Sequence, residues 1–264
     1  MNRLLAGKHL VLKAGWIAKK YFRRPIHFSF KKNNNISEVV TPVDLLIEQT
    51  VWHSLHKLFP EDTVIGEELG THTGSSEFTW YIDPIDGTQN FYKKIGFFNT
   101  AVALEQNGEV IAGWIYNPLS NDLFFAEKGK GAFLNGKKIN PSSQSKFKDA
   151  YLFYCDGKCS KKELDLFGII FKKLRSRVFE LRKVASANLE FAYIACGRAD
   201  VFVCTDLKLV DFKAGLLLLT EAGGKATDWA GKTPGQETRS FVVSNGILHS
   251  KIISETKPFA KKLK

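Results

Sequence analysis

The sequence predicts an α/β fold in which sheets and helices lie in layers. Strand-like runs joined by tight-turn dipeptides fill the middle of the chain, and helical and strand-like runs alternate in the second half. No linker rich in Pro, Gly or Ser separates the two halves. We therefore expect the 264 residues to form a single domain, in which an N-terminal half (residues 1–150) and a C-terminal half (residues 151–264) close over one cleft.

Two helices are expected in the first part of the chain. Apolar residues recur at helical spacing from Leu4 to Phe22. After a polar segment at residues 31–37, which is typical of a loop, Thr41 precedes a proline and has Asp44 three residues later. This order is that of an N-cap, a proline in the first helical turn and a capping box, so a second helix should run to about Leu58.

Six strand-like runs follow, and two of the turns have hairpin chemistry. Asn107-Gly108 and Asn135-Gly136 favour the left-handed backbone of a tight turn. The middle section is therefore predicted to be antiparallel. The runs are Thr63–Ile65, Phe78–Ile82, Thr100–Glu105, Val110–Tyr116, Leu123–Ala126 and Gly131–Leu134.

The second half alternates between strands and helices. Gly197 and Gly223 each follow an apolar helical run and are typical helix stops. We expect strands at Tyr151–Tyr154, Val201–Val203 and Phe241–Val243, and helices at Lys161–Leu174, Ala187–Cys196 and Phe212–Ala222.

The composition is that of an ordinary globular protein with an excess of basic residues. Hydrophobic residues make up 44% and charged residues 25%, and the formal net charge is +11. Such a charge favours anionic partners, which include nucleic acids, acidic membranes and phosphorylated metabolites, without choosing among them. No apolar run is long enough to cross a bilayer and the N-terminus lacks a signal-peptide pattern, so we expect a cytoplasmic protein without a membrane partner.

The cysteines do not form a metal or disulfide pattern. No CxxC pair is present and no histidine stands at zinc-finger spacing, so a structural zinc site is not expected. Cys196 and Cys204 lie in apolar surroundings, where cysteine serves as a small hydrophobic residue. Reduced thiols are therefore expected at Cys155, Cys159, Cys196 and Cys204.

The stretch Asp83-Pro84-Ile85-Asp86-Gly87-Thr88 is the strongest functional signal in the chain. It follows an apolar strand-like run and places two carboxylates on either side of a proline whose φ is fixed, with the Ile85 carbonyl between them. Hard divalent cations prefer such oxygen ligands. The residues after Thr88 can begin a helix, whose N–H groups would hold a phosphate. The stretch is also compatible with an ordinary turn, so the choice between a turn and a metal site depends on the acidic residues elsewhere in the chain.

Acidic residues elsewhere in the chain support a metal site. Glu67 and Glu68 follow a short strand, and Asp211 opens an apolar helical run. Each also has a structural interpretation, because surface acidic pairs are common and aspartate is a preferred N-cap. Two Mg²⁺ ions held by such groups would activate a water for in-line displacement at phosphorus.

The attacking water would need protein groups that position it. Thr88, with Asp44 close by if the two segments converge, is one candidate, and Glu67 shares the role. Asp44 is equally explained as the capping partner of Thr41, and the local sequence does not separate the two interpretations.

Three acidic motifs thus occur in order along the chain: Gly66-Glu67-Glu68, Asp83-Pro84-Ile85-Asp86-Gly87-Thr88 with Asn90-Phe91, and Asp211 with Thr220-Glu221-Ala222-Gly223-Gly224. In this order the chain resembles the inositol monophosphatase family of Mg²⁺-dependent, lithium-sensitive phosphatases. The second motif is highly specific, and the likeness spans nearly the whole chain. The resemblance implies a five-layer αβαβα sandwich, a phosphoric monoester hydrolase, and assembly as a homodimer.

The resemblance also implies a role for each matching residue. Two or three Mg²⁺ ions would be held by Glu67, Asp83, the Ile85 carbonyl, Asp86 and Asp211. The nucleophilic water would be oriented by Thr88 and Asp44, with Glu67. The phosphate and the rest of the substrate would be contacted by Asp86, Gly87, Thr88, Ser186, Ala187 and Asp200.

Two departures from the family pattern leave the substrate open. Val210 replaces the usual tryptophan before Asp211, and Cys204 stands where inositol-specific members tend to carry a glutamate that binds a sugar hydroxyl. Loss of that hydrogen-bond acceptor would weaken selection for a polyol. Inositol 1-phosphate is the leading substrate, and other polyol or sugar phosphates follow.

Two other functions stay open. A nucleotide 3′-phosphatase that acts on 3′-phosphoadenosine 5′-phosphate is a near alternative, but that branch usually continues Asp-Gly-Thr with lysine and glutamate, whereas this chain has Gln89-Asn90-Phe91. The other alternative belongs to a different class of function: a basic protein that has the same fold and binds RNA or the transcription machinery. The excess of lysine is compatible with it, and the chain has no aromatic RNP segment.

Overall fold

The computed structural model describes residues 2–30, 39–155, 161–235 and 237–262. The loop predicted at residues 31–37 and the thiol of Cys159 lie outside these ranges.

Two helices and a short antiparallel ladder form the N-terminal part of the fold. They are α1 (Arg3–Phe22), β1 (Ser29–Phe30), β2 (Val39–Val40) and α2 (Pro42–Leu58). α1 begins after Asn2, whose side chain accepts the Leu5 N–H at 2.8 Å. At α2, the Asp44 carboxylate accepts the Thr41 N–H at 2.9 Å, so the predicted capping box is confirmed.

Eight strands form the larger sheet, in the order β10-β9-β8-β7-β6-β5-β3-β4. The elements are β3 (Thr63–Gly66), β4 (Thr71–His72), β5 (Phe78–Asp86), α3 (Thr88–Tyr92), β6 (Asn99–Gln106), β7 (Glu109–Asn117), β8 (Asp122–Glu127), β9 (Gly131–Leu134) and β10 (Lys137–Lys138). Only the β3–β5 pair in this sheet of the described chain is parallel. Both predicted hairpin turns are confirmed, with φ of 51° at Asn107 and 50° at Asn135.

The smaller sheet has five strands, in the order β12-β11-β13-β15-β14. The elements of this half are β11 (Tyr151–Cys155), α4 (Lys161–Arg175), β12 (Glu180–Arg182), α5 (Ala187–Ala195), β13 (Val201–Cys204), α6 (Leu209–Ala222), β14 (Lys225–Thr227), β15 (Phe241–Ser244) and α7 (His249–Thr256). β12, β11 and β13 run parallel, so their carboxyl ends meet at one edge of the sheet. Gly223, at φ 93°, ends α6 as predicted.

Five layers result from three separate apolar cores. α1 and α2 pack on one face of the larger sheet, around the fully buried side chains of Trp80 and Trp114. α5 and α6 lie between the two sheets, where Phe191 contacts Phe202 of β13 at a ring distance of 5.5 Å. α4 and α7 cover the outer face of the smaller sheet. The order is that of the expected αβαβα sandwich.

One predicted boundary was wrong in a way that concerns the site. The helix predicted from Phe212 begins at Leu209, so Asp211 is not its N-cap but the third residue of its first turn. The N-cap is Lys208, whose backbone N–H is bound by the Asp211 carboxylate at 2.7 Å. Lysine lacks the short acceptor side chain of the usual N-caps, and the sequence therefore carried no start signal here. Within the described ranges, no helix is both long and apolar enough to cross a bilayer.

Candidate metal and phosphate site

Three carboxylates from three different elements meet at one point. Glu67 follows β3, Asp83 lies in β5 and Asp211 lies in the first turn of α6. One carboxylate oxygen of each lies within 4.8 Å of those of the others. Carboxylate oxygens are the ligands that hard divalent cations prefer, so this trio fits a Mg²⁺ site.

The pairing of β3 with β5 explains how Glu67 and Asp83 become neighbours. The two strands are parallel and Gly66 is in register with Ile82, so the next residue of each strand emerges at the same edge. The ladder between β5 and β6 then shifts register between Asp83 and Asp86, the segment that contains Pro84. Proline has no N–H to donate to the ladder. The irregularity therefore leaves this part of the β5 backbone available to contact a ligand.

Asp86 faces a different set of partners from the other carboxylates. Its carboxylate accepts the N–H groups of Ala187 (3.0 Å) and Asn188 (2.7 Å), and also the Asn99 side-chain amide at 2.7 Å. The Ser186 hydroxyl lies 3.1 Å from the Asp86 carbonyl oxygen. Asp86 thus caps α5 from a distant part of the chain, and Ser186 and Ala187 lie beside it. It is not part of the trio within 4.8 Å.

A threonine–aspartate pair stands at the turn after β5. The Thr88 hydroxyl oxygen lies 3.1 Å from Asp44 Oδ1 and 2.9 Å from the Ile85 carbonyl oxygen. The other carboxylate oxygen of Asp44 accepts the Thr41 N–H and the Thr41 hydroxyl, at 2.9 and 2.5 Å. The convergence expected for Thr88 and Asp44 is therefore present, and Asp44 is both a capping residue and a site residue.

Glycine is required between the acidic stretch and α3. Gly87 has φ of 89°, and a Cβ there would lie 3.1 Å from the Phe97 carbonyl oxygen and 3.2 Å from that of Ala185. The left-handed backbone at Gly87 lets the chain pass from β5 into α3, which begins at Thr88.

Asp200 contacts residues that are not among those predicted for the site. Its carboxylate binds the hydroxyl of Ser142, which follows β10, and accepts the N–H of Tyr151, the first residue of β11, at 2.7 Å. Ser186 lies before the first residue of α5 and Asp200 after its last turn, so the helix separates the two. These contacts tie together the chain segments around β11, and the substrate contact expected of Asp200 stays a prediction.

Burial raises the pKa of Asp44 and of Asp211 above that of a free side chain. Removal from water raises the pKa of Asp44 to about 7, although hydrogen bonds from Thr41 oppose the shift. Burial, followed by the negative charges of Glu67 and Asp86, raises the pKa of Asp211. Ionisation of these groups is therefore unfavourable without a positive charge nearby, and a divalent cation would supply that charge.

Two further residues contact the site and were not expected from the sequence. The Lys208 ammonium lies 2.9 Å from Glu67 Oε1. Glu48, on α2, accepts the N–H groups of Glu68 and Leu69 at 2.9 and 2.6 Å and so holds the loop that carries Glu67. A Cβ on Gly66 would lie 2.0 Å from Glu48 Oε1, which explains the glycine before the acidic pair. A basic residue three positions before Asp211 is the one signal that the sequence offered.

A buried carboxylate lies behind Asp86, in the first half of α5. Glu190 is fully buried, and neither of its carboxylate oxygens has a hydrogen-bond partner among the described residues. Burial first, and then the charge of Asp86, raises its pKa well above the ordinary range. Cys204, the departure noted in the sequence, is also fully buried, and burial raises its pKa. The Cys204 thiol is therefore an uncharged, buried group at the carboxyl end of β13.

Comparison with known proteins identifies the family. The inositol monophosphatase family pattern matches residues 3–259. A Thermotoga maritima relative named fructose-1,6-bisphosphatase/inositol-1-monophosphatase is 31% identical over 253 residues, which cover 96% of this chain and 95% of the relative. The Nus factor SuhB of Escherichia coli K12 is 34% identical over 236 residues, which cover 88% and 87%. The solved structure of a Thermotoga maritima IMPase matches with a TM-score of 0.89 and 29% identity, over 100% of both chains.

The chain belongs to the inositol monophosphatase family. This membership confirms the five-layer fold and the class of phosphoric monoester hydrolase, which acts on phosphorylated small molecules. The acidic trio is the part of the structure suited to the metal on which this family depends.

Proposed function

We propose that the protein is a Mg²⁺-dependent phosphomonoesterase that hydrolyses a polyol or sugar phosphate, with inositol 1-phosphate as the leading substrate. The observation that carries the proposal is the convergence of the Glu67, Asp83 and Asp211 carboxylates within 4.8 Å, next to the hydrogen-bonded residues Thr88 and Asp44. A carboxylate trio that binds a cation would serve many functions. Hydrolysis also requires groups that transfer a proton, and the adjacent Thr88–Asp44 pair would supply them.

Each part of the site has a proposed role. Glu67, Asp83, Asp211, the Ile85 carbonyl and Asp86 would hold two or three Mg²⁺ ions, with Asp86 reached after rearrangement of its bonds to α5. Bound there, the ions supply Lewis-acid stabilisation of the phosphoryl oxygens and a water of lowered pKa. The N–H groups of Gly87 and Thr88 would hold the phosphate.

Proton transfer is assigned to the Thr88–Asp44 pair. A threonine hydroxyl has a single proton, so when it donates to Asp44 its lone pairs face outward and can accept a hydrogen bond from the attacking water. The pKa of about 7 at Asp44 suits a group that accepts a proton near neutral pH. Glu67 belongs to the trio and its charge also acts on Asp44, so it would share the orientation of that water.

The substrate is tested by release of inorganic phosphate in the presence of Mg²⁺. The panel comprises inositol 1-phosphate, fructose 1,6-bisphosphate, histidinol phosphate and 3′-phosphoadenosine 5′-phosphate. We expect the highest kcat/KM on inositol 1-phosphate or another polyol or sugar ester, and loss of that activity in Asp83→Asn. Preference for the nucleotide would favour the nucleotide 3′-phosphatase alternative. No Mg²⁺-dependent release from any ester would contradict the proposal.

We also propose a cytoplasmic homodimer, as the family resemblance implies. Light scattering after size exclusion should give twice the chain mass of 29.7 kDa. A mass that stays at one chain over a hundredfold range of concentration would count against the dimer. Inhibition by Li⁺ is part of the same expectation, and its absence would place the protein among insensitive members without affecting the hydrolase assignment.

A second candidate function rests on a different observation. One relative is named a Nus factor, and this chain carries a formal charge of +11, which favours an anionic partner such as RNA. Filter binding of RNA across a salt series tests it: an affinity that falls steeply with salt is expected for phosphate contacts. Such binding in a protein that releases no phosphate would replace the hydrolase proposal, and binding alongside turnover would add to it.

A further inference from the structure

Lys208 contacts two of the three carboxylates of the trio. Its ammonium lies 2.9 Å from Glu67 Oε1, and its backbone N–H is bound by Asp211 Oδ2 at 2.7 Å. The first contact is made by a flexible charged side chain and the second by the fixed start of α6. Lys208 is therefore placed by the helix, while its charge is directed at the cluster.

The contact partly neutralises a concentration of negative charge. Three carboxylates lie within 4.8 Å of one another, so their negative charges repel one another when they are ionised. A lysine ammonium is a compact point charge on a long stem, so it can approach one carboxylate and withdraw again without movement of the backbone. The Lys208 side chain is 37% exposed and that of Glu67 is 13% exposed, which leaves the ammonium a path to solvent.

We infer that Lys208 is a resident cation of the acidic cluster, which competes with a divalent ion for Glu67 and so sets the ion concentration at which the site fills. The inference rests on the proposed function, because it takes the trio to be the ion site. Glu67 cannot give the same oxygen to the ammonium and to a metal at full strength. Binding of the ion must therefore displace Lys208 or proceed against its charge, and either lowers the apparent affinity.

The chain offers a closely matched control. Lys173 makes an ion pair of 3.0 Å with Glu255, and its side chain is 40% exposed. This pair joins α4 and α7 in the outermost layer of the fold, away from the trio. Lys173→Gln changes the net charge of the protein as much as Lys208→Gln does and breaks an ion pair of similar length and exposure.

The test is calorimetric titration with Mg²⁺ and, separately, Mn²⁺, in the absence of substrate. We expect Lys208→Gln and Lys208→Met to bind the ion about tenfold more tightly than the wild type, since a unit charge close to the ion is removed. Lys208→Arg and Lys173→Gln should stay within about twofold of the wild type. The rise in melting temperature at a fixed Mg²⁺ concentration should follow the same order, which gives a second readout on the same variants.

The outcomes separate the inference from the proposed function. Ion binding of equal strength in the wild type and both uncharged variants, or weaker binding in the variants, would overturn the role of Lys208 and leave the ion site intact. Tighter binding in Lys173→Gln as well would reduce the effect to net charge and would also overturn it. Ion binding that survives in Asp83→Asn, or that is absent from every variant, would remove the trio as the site and both proposals with it.

Discussion

Two helices enter the site with the same local geometry and different chemistry. In α2 and in α6 an aspartate in the third position binds back to the N-cap N–H, at 2.9 Å for Asp44 and 2.7 Å for Asp211. The N-cap of α2 is Thr41, whose hydroxyl accepts the Val43 N–H at 3.2 Å. The N-cap of α6 is Lys208, whose side chain contacts Glu67 instead.

The difference shows how one structural motif can supply two roles. Each aspartate binds the start of its own helix and also contacts a second group outside that helix. At α2 that other oxygen faces the Thr88 hydroxyl, whereas at α6 the carboxylate joins the acidic trio. Under the proposed function, position relative to β5, and not the motif itself, decides whether the aspartate would serve proton transfer or ion binding.

The largest effect is expected when the aspartate of α6 is changed. Asp211→Asn keeps an acceptor for the Lys208 N–H but removes one charge from the trio. We expect kcat/KM to fall by more than about 100-fold, the upper end of losses seen when a group merely supports a metal ligand. Calorimetry with Mg²⁺ should show weakened binding. Unchanged ion affinity would remove Asp211 from the ion site.

The matching change at α2 should separate the two roles. Asp44→Asn leaves the trio intact, so the ion affinity should stay within about threefold of the wild type, while kcat falls roughly 100-fold through loss of the proton acceptor. Steady-state kinetics and calorimetry on the same sample measure both quantities. A loss of ion binding as large as in Asp211→Asn would show that the two helix starts are not functionally distinct.

The stability of the ion-free protein should depend on pH in the direction set by these carboxylates. Burial raises the pKa of Asp44 and Glu48 to about 7 and that of Asp211 to about 8. An acid with a higher pKa in the folded chain binds more protons when folded, so the free energy of unfolding falls as these protons are lost.

The effect of these carboxylates on stability is seen most clearly from about pH 6.5 to 8.5. At lower pH the buried His249, whose pKa is lowered to about 4, adds its own pH dependence to the free energy of unfolding. We expect a loss on the order of 2 kcal/mol over this window without Mg²⁺. Saturating Mg²⁺ should reverse most of it, since the ion takes the place of the protons. Urea unfolding at each pH measures both series, and a free energy that rises with pH without the ion would contradict the assignment.

The smallest effect concerns the cap alone. Thr41→Ala removes the hydroxyl that accepts the Val43 N–H, and we expect a loss of about 1 kcal/mol in the free energy of unfolding. Lys208→Ala removes no such acceptor and should cost less in the ion-free protein. Equal losses in the two variants, measured by urea unfolding, would indicate that Lys208 stabilises α6 through its side chain.

Much of this arrangement could be predicted from local sequence, and the limits have physical causes. The capping box at Thr41, the hairpin turns at Asn107 and Asn135, and the acidic stretch from Asp83 to Thr88 each depend on neighbouring residues, so periodicity and turn chemistry reveal them. The start of α6 was placed three residues late, since Lys208 is not a residue type that marks a helix start.

Contacts between distant segments were beyond local reasoning. Nothing near Asp86 indicates that it binds the first N–H groups of α5, and nothing near Glu48 indicates that it holds the loop of Glu67. Nothing near Asp200 indicates that its carboxylate binds Ser142 and Tyr151, which lie 58 and 49 residues away along the chain.

Ion binding by the three carboxylates is tested most directly by a crystal structure of the protein soaked in Mn²⁺, with the ion located by its anomalous scattering. We predict a peak bound by Glu67, Asp83 and Asp211 together, at roughly the 2.0–2.3 Å expected for a small divalent ion on oxygen ligands. The Lys208 ammonium should have moved away from Glu67. A fully occupied peak elsewhere, with the three carboxylates free of metal, would contradict the account.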